Sequence, residues 1–343
     1  MTRRNLRSGD WRSAMCLLAI LAGACSTRVE SGPRAVRLAV GGQNQMVYLP
    51  TMLTQELGFY KEEGLDVELQ DHAGGAKALQ ALIGGSADVV SGFYDHTIQM
   101  AAEARELVAF VTMLRFPGLV LVTSPQASAT VATIADLKGR IVGVTTAGSS
   151  SQMLLTYMLQ RHGVPPDSVS ITAIGSAATA IAAIERGKVD AGMVADPAFT
   201  LITMRNPSVR VLADLRTATG VQEALAAHAY PASVLYAPRE WIDAHRDTTQ
   251  RLARAITRTL RWMQAHTPEE IASRTPRAYR GENEGLYVDA IRNSMPMFSP
   301  DGVMDAEGPQ AVRSLLEGSM EKVRAARIDL SKTYTNDFIT NGR

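Results

Sequence analysis

The chain has 343 residues, 46% of them hydrophobic, and a formal net charge of +1. That length allows about two domains, and so even a charge lacks the basic footprint of a nucleic-acid binder, which leaves small molecules as the expected partners. Both cysteines, Cys16 and Cys25, fall at the start of the chain, so the body holds no disulfide framework, thiol nucleophile or cysteine metal site.

Residues 1–24 read as a signal peptide. Arg3, Arg4, Arg7 and Arg12 precede an apolar run over 14–24 that ends in small residues, too short to span a membrane. The stretch Ala22-Gly23-Ala24-Cys25 resembles a bacterial lipoprotein cleavage box with Cys25 as the lipidated residue, although Ala22 stands where Leu is commonest. Ordinary signal cleavage nearby is the alternative, and Arg3-Arg4 also bears some likeness to a twin-arginine export signal. The expectation is an exported protein of the cell envelope, touching the membrane only through a lipid anchor, or soluble in the periplasm if the box is not used. With residues 1–24 set aside, 31 of the 35 basic and 33 of the 34 acidic residues remain. Residues 25–35, with Gly32-Pro33, form a polar tether.

Strands and helices then alternate. Residues 36–40 give the first strand, followed by Gly41-Gly42-Gln43-Asn44-Gln45. Pro50 opens a helix to about Leu57, and the next strand covers 65–69. Residues 140–144 form a β-branched strand that breaks at Thr145-Thr146-Ala147-Gly148. Ser149-Ser150-Ser151 opens a helix to about Arg161, which Gly163 and Pro165-Pro166 stop. Residues 169–174 are the following strand. A helix N-terminus with free N–H groups suits an anion or a strongly polar ligand, while the plainer reading makes the serines caps.

The two halves look alike. GAKALQALIGGSADVV (75–90) and the stretch 176–192 align on Asp88 and Asp190, with helix-ending Gly85 and Gly187 in register. Two copies of one α/β half, roughly a hundred residues apart, argue for two similar domains. The apolar runs 119–122 and 232–236 lie where the chain must change domain and are expected to pair as a two-strand hinge, or else to be ordinary core strands. This gives a discontinuous first lobe over 36–121 and 232–343, and a second lobe over 122–231. After Pro238 the chain turns helical. A long segment from Trp241 carries Leu252, Ile256, Leu260 and Met263 at helical spacing, and Arg251, Arg254, Arg258 and Arg261 form a stripe read as a solvated face. Further helices are expected from Thr267-Pro268-Glu269-Glu270, over 285–295 and over 305–324.

Catalytic signatures are absent: no H-E-x-x-H, G-x-S-x-G or G-x-x-x-x-G-K-[ST] occurs, and the six histidines show no metal-ligand spacing. Asp95-His96 is the one suggestive dyad, set aside because strand neighbours point to opposite faces. Ligands of open α/β sheets bind beyond the carboxyl ends of the strands. The candidate ligand-binding residues are therefore Gln43, Asn44, Gln45, Gly74, Phe93 and Tyr94 from one half. Thr146, Gly148, Ser149, Ser150, Ser151, Ser176 and Asp196 come from the other. Phe93, Tyr94 and Phe116 are candidate apolar walls. No arginine sits in these loops, which weakens a strictly anionic ligand, although Arg115 lies close to the expected hinge.

Several stretches together carry a family resemblance: VRLAV (36–40), ELGFYKEEGLDV (56–67), GSAD (85–88), DLKGRIVG (136–143) and GKVDA (187–191). They resemble the type II periplasmic substrate-binding proteins of ABC importers, of the nitrate/sulfonate/taurine group, over about 36–338. The resemblance implies an α/β fold of two lobes, each a mixed sheet flanked by helices, joined by a two-strand hinge. It also implies capture of a small polar or anionic organic solute, sulfonate-, nitrate- or taurine-like or else aromatic or heterocyclic. The lobes would close on it and deliver it to permease subunits. No cofactor, metal or nucleic acid is implied, no enzyme activity is expected, and the protein should be a monomer. The same fold resembles pyrimidine-synthase and menaquinone-pathway enzymes, but the cysteine-rich motif of the former is missing. A sensory lipoprotein without transport is the third alternative.

Overall fold

Arg34–Val40 (β1) begins with alternating exposed and buried side chains and ends in three buried ones, as a strand does when both sheet faces become covered. This computed structural model describes residues 34–340; the expected signal peptide, Cys25 and nearly all of the tether lie outside the described residues. Leu65–Asp71 (β2) and Val89–Phe93 (β3) each run parallel to β1. Parallel neighbours need crossovers, which the helices Leu49–Glu56 and Gly75–Ile83 supply. Leu107–Thr112 (β4) follows. The chain then builds Leu119–Thr123 (β5), Ile141–Val144 (β6), Ser170–Ala173 (β7), Ala191–Ala195 (β8) and Val211–Asp214 (β9), and returns for Ser233–Pro238 (β10).

The sheet orders are β2-β1-β3-β10-β4 and β7-β6-β8-β5-β9. They are two copies of one plan: three parallel strands, then an antiparallel strand that arrives from the other sheet, then an edge strand. The repeated aspartates have a repeated task. Asp88 Oδ2 accepts from Arg37 N at 2.9 Å, and Asp190 Oδ2 accepts from Ile141 N at 2.8 Å. Each carboxylate thus ties the start of β3 to β1, or of β8 to β6, with Arg37 or Arg140 as its ion partner. Burial works against the charged form of Asp88, but its bonds to Arg37 outweigh that and hold its pKa below the usual carboxylate value. Gly85 and Gly187 take φ of +74° and +64°, a turn that suits a residue without Cβ.

The expected hinge pairing of 119–122 with 232–236 does not occur. β5 pairs with β8 and β9, and β10 with β3 and β4, so both runs are buried core strands of different sheets. Leu119–Leu121 accordingly belong to the second sheet rather than the end of the first lobe. The two crossings meet just before these strands. Met113 N and Leu114 N donate to Ser233 O at 2.8 and 3.1 Å, Ala232 N to Leu114 O at 2.9 Å, and Tyr230 N to Arg115 O at 3.3 Å. The sequence misplaced the pair because hydrophobicity marks burial, whereas these connecting bonds are made by backbone.

In the C-terminal third, the expected long helix is two, Arg239–Ala244 and Arg246–Gln264. Leu252, Ile256, Leu260 and Met263 are buried as their spacing requires. The basic stripe is not simply solvated. Arg254 bonds Glu63 at 2.8 Å, Arg258 bonds Glu62 at 2.5 Å and lies over the Phe59 ring, and Arg251 donates to the Glu63 carbonyl. Thr267 and Glu270 form a capping box at Pro268–Arg274, which satisfies two otherwise free N–H groups. The helix Gly308–Ser319 packs against Ser150–Arg161, so this third reaches the second sheet as well. Among the described residues no helix is long and apolar enough to cross a membrane.

Candidate functional site

In each sheet the chain steps from the middle strand to one neighbour and then back to the other. The carboxyl ends of β1 and β3, and of β6 and β8, therefore flank the two switch points where loops diverge. These ends face one another. Met46 N, after β1, donates to Asp196 O, after β8, at 2.8 Å. A methyl group on Gly74 would lie 2.8 Å from Thr146 Oγ1 and 3.0 Å from its Cγ2, so that contact needs a residue without Cβ. Gly42 meets Ser176 the same way, with 3.0 Å from an added Cβ to Ser176 Oγ.

The serine run divides its work. Thr145 Oγ1 lies 2.7 Å from Ser149 Oγ and 2.9 Å from Ser151 Oγ, Ser149 Oγ donates to Thr146 O, and Ser151 Oγ accepts from Thr145 N. Ser149 and Ser151 are thus spent on shaping their own loop. Ser149 occupies the N-cap position of Ser150–Arg161 but makes no side-chain cap bond, so the capping reading does not describe it. Ser150 points the other way and donates to Asp95 Oδ1 of the first half at 2.7 Å. Gly148, at φ +78°, turns the loop and donates to Gln152 Oε1.

Asp95 and His96 are not on a strand. They open the helix Asp95–Ala101 and both are fully buried, so the strand argument against the dyad fails. Asp95 Oδ2 accepts from Tyr230 OH at 3.1 Å, from the crossing segment. Burial pushes the Asp95 carboxyl above the usual range, against the opposing influence of His96 and the Ser150 and Tyr230 hydroxyls. Burial also lowers the His96 pKa, with Asp95 and the Gly148 backbone acting the other way, which favours the neutral imidazole. Its Nδ1 lies 3.4 Å from Tyr236 OH, while Nε2 is buried without a hydrogen-bond partner, as is Thr146 Oγ1. Unpartnered buried polar atoms are costly, and these two lie on either side of the junction.

The space left here, between Tyr48, Phe93, Gly75, Leu119, Thr145 and Ser150, measures about 20 Å³, room for one water at most. A solute of any size enters only if the halves part. Electrostatics constrains which solute. The N-terminus of Ser150–Arg161 offers an anion about 0.3–1 kcal/mol, up to about 2 when partly buried. That end already faces the Asp95 carboxyl, and two like charges 4 Å apart repel by about 4 kcal/mol at an effective dielectric near 20. Repulsion exceeds the helix contribution whenever Asp95 is ionised.

Other expected site residues are engaged elsewhere. Tyr94 turns into the first half, its hydroxyl 2.5 Å from Thr333 Oγ1. Asp196 is taken up by Thr200 and by Arg216, which it meets at 2.8 Å; only its carbonyl reaches across. Gln43 accepts from Tyr279 OH at 2.6 Å, and Gln45 donates to Gly41 O at 2.9 Å. Asn44 is half-buried, with an unpartnered Oδ1. Phe116 and Arg115 line a separate groove with His228 and Pro231 beside the crossings. Tyr48, Tyr230 and Tyr236 are not among the expected residues, and Asp95 and His96 are singled out in the sequence only to be set aside. Only the Asp95-His96 pair gave a signal in the sequence, since the tyrosines come from a buried short helix, a crossing and a strand. Among the described residues no group of His, Cys, Asp or Glu is arranged to hold a metal ion.

Two mixed sheets of matching plan, flanked by helices and meeting at their switch points, define the two-lobed α/β fold of type II periplasmic binding proteins. The chain belongs to the NMT1/THI5-like family, whose model matches residues 45–271. A solved structure from Bordetella bronchiseptica RB50 is 36% identical, covers 90% of this chain and 96% of its own, and superposes with a TM-score of 0.86. The alkanesulfonate-binding protein SsuA of Xanthomonas axonopodis pv. citri, solved bound to MOPS, shares the fold at 17% identity. It covers 89% of this chain and 99% of its own, with a TM-score of 0.71. The periplasmic nitrate-binding protein NrtA of Synechocystis PCC 6803 does so at 15% identity, over 89% of this chain and 86% of its own, with a TM-score of 0.70.

Proposed function

We propose that this protein is the substrate-binding component of an ABC importer. One lobe is built on each sheet, and the connections at 113–118 and 226–232 act as the hinge. Opening about them exposes the loops after β1, β3, β6 and β8 to a small polar organic solute, and closing buries it. The closed form then docks on a permease. The observation that carries this reading is the junction itself: fully buried Asp95 and His96 share it with Ser150 and Tyr230, from the opposite lobe and the hinge, and Ser150 also lines the small cavity between the loops. A permanent interface would bury apolar side chains there, since unpaired polar groups weaken it. The sulfonate ligands of structural neighbours and the aromatic walls Tyr48 and Phe93 support testing small organic solutes first.

The arrangement supports capture over covalent catalysis. Ser150 Oγ donates to a carboxylate and His96 Nδ1 faces Tyr236, so no imidazole is set to activate the hydroxyl. Export through the signal peptide, and anchoring at lipidated Cys25, belong to the same proposal. Mass spectrometry of the envelope-purified protein should find a lipid-modified Cys25 as the first residue, and an unmodified start elsewhere would remove the anchor. The solute test is a thermal-shift screen over sulfonates, nitrate, carboxylates, amines, amidines, pyrimidines and other aromatics. A true ligand at a hundred times its Kd should stabilise the fold by about 2.7 kcal/mol. If no solute of any class moves the melting temperature, the capture reading is wrong.

A further inference from the structure

Asp95 is fully buried, and its two oxygens accept from the Ser150 hydroxyl at 2.7 Å and the Tyr230 hydroxyl at 3.1 Å, with the His96 backbone N–H as a further donor. Its titratable neighbour is His96, held toward the neutral form by burial, and among the described residues no arginine or lysine acts on the carboxylate. Four other buried or half-buried aspartates have an arginine: Asp88 has Arg37, Asp190 has Arg140, and Asp196 and Asp214 share Arg216. Cations in the neighbouring segments are committed elsewhere, Arg115 to the Pro296 carbonyl and Arg216 to its two aspartates. Aromatic rings stand within electrostatic reach of the carboxylate: Tyr48, edge-on to Phe93, and Tyr236, edge-on to His96. The Ser150 hydroxyl comes from the other lobe, so opening withdraws it and leaves Asp95 Oδ1 one donor short.

We propose that the cleft takes a compact organic cation bearing N–H groups, an ammonium or amidinium, with Asp95 as its counter-ion and Tyr48, Phe93 and Tyr236 as its aromatic walls. This deepens the capture reading and rests on it. The cation supplies the charge that the fold omits and hydrogen-bonds Asp95 Oδ1 when the lobes part. It lies against ring faces that attract positive charge. Buried His96 Nε2 and Thr146 Oγ1, which lack partners, are left to hold a polar substituent. Anions are rejected because the carboxylate already stands before the Ser150–Arg161 N-terminus, where an anion would have to sit.

The test uses ligands of one shape and three charges on the full mature chain. Calorimetry compares benzamidine, benzamide and benzoate, then acetamidine, acetamide and acetate, with propanesulfonate and nitrate alongside. The expected result is that an amidinium binds at least tenfold more tightly than its amide and carboxylate counterparts. Asp95→Asn should weaken that amidinium roughly 10- to 150-fold, the loss of one charge-assisted hydrogen bond. Circular dichroism and a melting curve check that the variant folds; if it does not, the charge series on the wild type still decides. A carboxylate, sulfonate or amide binding as tightly as the amidinium overturns the cation proposal and leaves the capture reading standing. Failure of both amidiniums to bind also overturns it, and the wider solute screen then decides separately whether the cleft captures anything.

Discussion

Replacing Ser150 by Ala removes the one side-chain hydrogen bond described here that joins the two lobes across the cleft. The bond is 2.7 Å long, fully buried and made to a carboxylate. A hydrogen bond to a charged group contributes about 1.5–3 kcal/mol, more than a neutral one. In the open form Ser150 and Asp95 both meet water, so nearly all of that loss falls on the closed form. The closed-to-open ratio should drop roughly 10- to 150-fold. The two sheets and the backbone bonds that join the crossings at Leu114, Arg115, Tyr230 and Ala232 do not involve Ser150, so the variant should open rather than unfold. The assay is the distance distribution between spin labels on the two lobes, one on the exposed Lys77 position and one on exposed Arg186, read by double electron–electron resonance. The variant should gain a longer-distance population, whereas Ser149→Ala and Ser151→Ala, which alter only their own loop, should keep the wild-type distribution. The same distribution in Ser150→Ala as in wild type would show that this bond does not govern closure.

Gly74→Ala should wedge the lobes, because the added methyl lies 2.8 Å from Thr146 Oγ1 across the cleft; expect weaker ligand binding in calorimetry with a nearly unchanged melting temperature. Asp95→Asn should raise the melting temperature at pH 7–8. Burial raises the Asp95 pKa, so between the ordinary carboxylate value and that raised pKa the folded state holds more proton than the unfolded one and stability falls as pH rises. The gain over wild type should shrink as pH drops toward the ordinary carboxylate value near 4, and a gain that grows on acidification would contradict the argument. Arg216→Met leaves Asp196 buried without its cation and strips the guanidinium from over Phe199. Chemical denaturation should record a loss of about 3–5 kcal/mol, the usual cost of breaking a buried pair.

The sequence by itself determined the two α/β halves, because strand and helix periods, Gly85 and Gly187, and the paired aspartates are local signals written twice. It also pointed to the serine loop, since β-strand ends followed by a helix start are local too. Only the tertiary structure decided what those residues do. Ser149, Ser150 and Ser151 are chemically identical, yet two fold back on Thr145 and one crosses to Asp95; the change from the extended backbone of Ser149 to the helical backbone of Ser150 and Ser151 sorts them, and no composition rule reports it. The hinge was misread for a related reason. Apolar runs announce burial, whereas the crossings are joined by Leu114, Arg115, Tyr230 and Ala232 through backbone groups that every residue carries. Tyr230 and Asp95 are 135 positions apart, and their hydrogen bond exists only because the second crossing returns beside the first. Such a contact is fixed by chain topology, which local periodicity does not encode.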